Sequence, residues 1–126
     1  MPVSMHWHNA EKDILFVHYE DYTVAEHYQA VTDAKAMMDT VAHDRVDIIN
    51  HLGGNIRPLM ESSQHGSNIL SNPHPRLGVI VIVYTNRLML PLITLGVKLD
   101  ARTRKTYRIA ASVQQAEKII AAERAQ

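Results

Sequence analysis

The chain contains no cysteine. Disulfides, thiolate nucleophiles and thiolate metal sites are therefore excluded, and a reducing, cytoplasmic setting is expected. It also lacks charge of either sign in excess. Its 13 lysines and arginines balance 13 aspartates and glutamates. The densest basic run is only Arg102-Thr103-Arg104-Lys105. Nucleic acid is not expected as a partner, because phosphate recognition needs a clustered positive footprint. A near-zero net charge gives little colloidal repulsion, which suits a self-associating protein. No basic stretch leading into an apolar one opens the chain, so no signal peptide is expected. The longest apolar run, Leu88 to Leu99, is shorter than the roughly 20 residues of a membrane span.

Catalytic motifs are equally scarce. No serine stands in G-x-S-x-G, so there is no nucleophile elbow. Ser62 and Ser63 lie close to His65, but neighbours on one helix are poorly placed for base-assisted attack. Asp33, Asp39, Asp44 and Asp47 are scattered over helix, loop and strand, not convergent. No catalytic residue and no cofactor is expected. Of the 8 histidines, His6 and His8 share one side of a strand. His18 and His51 are the remaining ligand candidates, but no HExxH is present, so no metal site is expected.

What the chain does have is a two-part apolar segment from Leu77 to Leu99. Val79-Ile80-Val81-Ile82-Val83-Tyr84 is β-branched and unbroken by polar residues, so both faces of that strand must be covered. The following segment is of helix length. Its residues Leu88, Met89, Leu92, Ile93, Leu95, Val97 and Leu99 spread around most of the helix circumference. One sheet covers only one stripe, so the surplus is expected to meet a ligand or a protein interface.

Elements alternate along the rest of the chain. Val3, Met5 and Trp7 alternate with polar residues, and a second strand follows over Ile14 to Tyr19, so the chain opens with a β-hairpin. Thr23 and Glu26 form a capping box for a helix from Val24 to Ala42, with Val24, Tyr28, Val31, Met38 and Val41 inward. A third strand runs from Val46 to His51. The turn Gly53, Gly54, Asn55 follows it and precedes a helix opened by Pro58, the position where backbone amides favour anions. That helix ends at Asn72-Pro73-His74-Pro75. Thr106 to Ala110 is a short last strand, and Ser112 with Gln115 caps a final helix carrying Val113, Ala116 and Ile120 inward.

The order of elements, the Gly-rich turn, Leu77-Gly78 entering a β-branched strand and the closing Ser112 to Ile120 helix resemble the STAS / SpoIIAA-like family. The resemblance spans nearly the whole chain. It implies an α/β fold, a SpoIIAA-like β-α superhelix with a mostly parallel five-stranded sheet, an N-terminal β-hairpin and four helices (β-β-α-β-α-β-α-β-α), in a single domain. It also implies binding and regulation rather than chemistry. The family's phosphorylatable Asp-Ser-Ser-Gly motif has no counterpart, because the matching turn reads Gly53-Gly54-Asn55-Ile56-Arg57-Pro58-Leu59. The phospho-switch is therefore not carried over. Two functions are expected: a non-enzymatic regulatory or interaction domain acting through a protein partner as a homodimer, or a carrier or sensor of a small apolar ligand or lipid held against the 88–99 helix.

Overall fold

A computed structural model describes residues 3–53, 74–84 and 105–126. Five strands, β1 (Val3–Trp7), β2 (Ile14–Glu20), β3 (Val46–Gly53), β4 (Leu77–Tyr84) and β5 (Tyr107–Ala110), form one sheet in the order β1-β2-β3-β4-β5. Helix α1 (Val24–Asp39) lies against one face and α2 (Val113–Arg124) against the other.

The four-helix, mostly parallel arrangement expected from the sequence is corrected. The sheet is mixed: β1 runs antiparallel to β2, while the β2–β3, β3–β4 and β4–β5 pairs are parallel. The reason is the short connection around Asn9 to Lys12, which reverses the chain and is too short for a crossover. Among the described residues there are two complete helices. The other two expected helices, opened by Pro58 and by Leu88, fall outside the described residues.

α1 starts where its cap dictates. Thr23 Oγ1 accepts from the Glu26 amide at 3.1 Å, and the Glu26 carboxylate accepts from the Thr23 amide at 3.0 Å. Its buried stripe is His27, Ala30, Ala34 and Met38, not the stripe of Val24, Tyr28 and Val31, which are half-buried. The sequence reading weighted the larger apolar side chains, whereas the helix turns its alanines inward. No basic residue occupies the last turn of α1. Arg76 supplies the missing cation from outside, donating to the carbonyls of Met38 and Val41. In α2, Ser112 Oγ accepts from the Gln115 amide at 3.1 Å. Gln115 Oε1 reaches back to the amide of Ala111, one residue before the cap.

Strand alternation divides the core in two. Leu15, Val17, Ile48, Leu52, Ile80 and Ile82 pack toward α1, while Ile49, Val79, Val81 and Val83 pack with Ala116 and Ile120 of α2. β4 is thus covered on both faces, as its unbroken apolar run requires. No helix among the described residues is long and apolar enough to cross a membrane.

Candidate functional site

The two ends of the parallel strands differ in character. At the amino end, β3 places Asp47 with its side chain fully buried. Asp47 Oδ1 accepts from the Val79 amide at 2.7 Å and from Arg45 Nε at 3.0 Å. Oδ2 accepts from Arg124 Nε at 2.7 Å. Arg124 also donates to the Asp13 carbonyl at 2.8 Å and pairs with the Asp13 carboxylate at 3.2 Å. The hairpin turn, β3, β4 and the end of α2 are joined at this one carboxylate. Burial opposes the charge on Arg124, but its hydrogen bond and attraction to Asp47 prevail and raise its pKa. At Asp13 burial favours the neutral acid, yet the Asn9 amide and Arg124 outweigh it and lower the pKa. Every group in the network has its partners, which is the mark of a structural joint.

One face of the sheet carries a strip of rings that runs from His8, beside Ile14 at the start of β2, to His18 and His51 near the carboxyl ends of β2 and β3. His6 and His8 of the β1 side, Phe16 and His18 of β2, and His51 of β3 project to the same face of the sheet. Phe16 stacks on His6, His8 and His51 at centroid separations of 5.1, 5.7 and 6.0 Å. Beyond it His18 stacks on His51 at 5.0 Å. Parallel pairing sets His18 directly beside His51 and brings their Nδ1 atoms to 2.8 Å, a hydrogen-bond distance. His18 Nε2 lies 3.4 Å from the Glu20 carboxylate. The pKa of His51 is lowered, by burial first and by His18 second, with Glu20 acting in the opposite sense. His6 is exposed, and His8, Phe16, His18 and His51 are half-buried. α2 packs on β3, β4 and β5, Phe16 packs against the core cluster that holds Ala116 and Ile120 of α2, and Glu117 lies 3.4 Å from His8 Nε2. Such a surface stacks, and its imidazole nitrogens can donate and accept hydrogen bonds.

A third feature lies inside, between α1 and the sheet. A void with room for water-sized bodies of about 20 Å³ opens there. Its roof is His27, Ala30, Val31 and Ala34, and its floor is Val17, Tyr19, Ile48, Asn50, Ile80 and Tyr107. His27 and Asn50 are 4% and 8% exposed, the two buried polar residues on this side of the sheet among the described residues. The Nδ1 of His27 is buried with no hydrogen-bond partner. Burial alone lowers the His27 pKa to about 4, so the imidazole is neutral at pH 7. Burial likewise raises the Tyr107 hydroxyl to about 12.

Of the site residues expected from the sequence, Leu88, Met89, Leu92, Ile93, Leu95, Val97, Leu99, Gly54 and Asn55 lie outside the described residues. Gly53 is the last residue of β3, and a Cβ there would make only ordinary contact, 3.6 Å from the Tyr19 carbonyl. The metal candidates His6 and His8 are separated from His51 by the Phe16 ring. Among the described residues no three metal-ligating side chains converge. Sequence reasoning missed the void. Its signals were Asn50 within an otherwise apolar strand face and two alanines on the inward side of α1. In comparisons with protein-family models, with curated proteins and with solved structures, nothing matches this chain.

Proposed function

We propose that this chain is a non-enzymatic, STAS-like regulatory or interaction domain that works through protein–protein contacts, as a homodimer. The observation that carries the reading is the stacked strip of exposed His6 and half-buried Phe16, His51 and His18 on the α2 side of the sheet. A half-buried phenyl ring among imidazoles offers apolar area and adaptable hydrogen bonds together, the combination that aromatic interface residues supply. The zero net charge of the chain favours self-association. The test is a surface change within the strip. His6→Glu, at an exposed position, should weaken dimerisation at least tenfold in sedimentation equilibrium. Ala36→Glu, on the outer side of α1, should leave it unchanged. Equal behaviour of the two variants would remove the strip from the interface.

A second reading is a carrier or sensor of a small apolar ligand or lipid held against residues 88–99, supported by the apolar run from Leu88 to Leu99. Its test is the co-purification of a small molecule under native mass spectrometry.

A further inference from the structure

We infer that two copies of the chain join along the outer edge of β1, where β1 of the second copy adds antiparallel and continues the sheet across a two-fold axis. The inference deepens the homodimer reading, on which it rests, by naming the edge and the register.

β1 is an end strand of the sheet. It pairs with β2 on one side, and no described residue pairs with it on the other. One hydrogen bond fixes which of its backbone groups face outward. The His8 amide donates to the Ile14 carbonyl at 2.8 Å, in register with the pairing of Trp7 and Leu15. Hydrogen-bonded and non-bonded pairs alternate along an antiparallel ladder. Ser4 and His6 therefore turn their amides and carbonyls to β2, and Val3, Met5 and Trp7 turn theirs outward.

Natural sheets guard such edges with charge, proline, a bulge or a very short strand. β5, at the other end of the sheet, is guarded in this way. It is 4 residues long, and its Arg108 donates to the carbonyls of Lys105 and Tyr107. β1 has none of these devices. Val3-Ser4-Met5-His6-Trp7 contains no aspartate, glutamate, lysine, arginine or proline, and its register on β2 is unbroken. An unguarded edge is a template for a further strand.

The sequence of β1 matches its own reverse as that strand. With the two-fold axis at Met5, Val3 meets Trp7 of the partner subunit, Ser4 meets His6 of the partner subunit, and the two Met5 residues meet each other. A β-branched side chain thus faces an indole, a hydroxyl faces an imidazole, and no like charges are opposed. Val3, Met5 and Trp7 pack on the α1 side of the sheet, while Ser4 and His6 are exposed on the other. An antiparallel twin keeps these faces in line, and every outward amide finds an outward carbonyl. His6, stacked on Phe16 at 5.1 Å, then carries the ring strip up to the joint, so that both strips lie on one continuous face.

The chain has no cysteine, so introduced cysteines can read the register. Positions 4 and 6 face each other across the joint as a non-hydrogen-bonded pair, with about 4.5 Å between Cα atoms, within disulfide reach. Like positions sit two residues apart along the joint and out of reach. Full-length Ser4→Cys and His6→Cys proteins are mixed, left to exchange subunits and oxidised with diamide. The mixture should yield at least tenfold more linked two-chain species than either variant alone. Hydrogen exchange on the wild type is the second measurement. The amides of Val3, Met5 and Trp7 should exchange at least tenfold more slowly in the dimer than in dilute single chains. If the substitutions dissolve the dimer, exchange decides alone. A dimer in which those amides exchange as in single chains, or a dimeric mixture with no excess of linked species, would overturn the inference and leave the homodimer reading standing. A wild type that stays a single chain would overturn both.

Discussion

His18 and His51 stand side by side on parallel strands with their Nδ1 atoms 2.8 Å apart. At that distance one nitrogen donates and the other accepts. Protonating the accepting Nδ1 would set two N–H groups against each other across this contact. His51 should accordingly titrate below its ordinary 6.5. Removing the neighbour in His18→Ala should move the His51 pKa upward. NMR titration of the imidazole resonances checks both statements. A His51 pKa unchanged by the substitution would mean that the two rings are not coupled.

His27 makes a larger pH signature. Its pKa falls from 6.5 to about 4 on burial, so the unfolded chain binds the extra proton first. Stability from this group is fully present above pH 6.5. It is lost as the pH falls from there through about 4. The loss is on the order of 3 kcal/mol at about 1.4 kcal/mol per pKa unit. Urea unfolding at pH 7 and pH 4.5 should reveal it, and His27→Leu should flatten the dependence. A variant as acid-sensitive as the wild type would place His27 in water.

Gly78 is required by Asp47. A Cβ at position 78 would overlap Asp47 Oδ1 and crowd the Arg45 guanidinium. Gly78→Ala should therefore displace the carboxylate that joins β3, β4 and α2. Disrupting a buried, fully paired charge costs about 3–5 kcal/mol. Chemical denaturation measures the loss. A cost below 1 kcal/mol would show that the joint yields without consequence.

Ile82 is 4% exposed on the α1 side of β4, with Val81 and Val83 buried on the other. Ile82→Ala should cost about 2–5 kcal/mol, as large-to-small changes in a packed core do. An unchanged urea midpoint would contradict the two-sided burial of β4.

The parts of the fold legible in the sequence are those fixed by local chemistry. The β-branched run over Val79 to Val83 required cover on both faces, and Thr23 with Glu26 marked where α1 begins. Pairing register is non-local, so the meeting of His18 with His51 was not legible. In the hairpin His18 stands opposite Ser4, and only the parallel alignment of β2 with β3 brings His51 beside it. The inward stripe of α1 was misread because alanine and histidine carry little hydrophobic signal next to Val24, Tyr28 and Val31. The same bias hid the void, since an unfilled space is made by what small residues leave out. Asp47 gave no sign of burial either: its partner Arg124 lies 77 residues away.

The central claim, that the domain works by associating with a second copy of itself, is tested most directly by native mass spectrometry of the pure protein at neutral pH. The account predicts a species at twice the chain mass, converted to single chains by His6→Glu. A wild-type protein that remains a single chain at high concentration would contradict it.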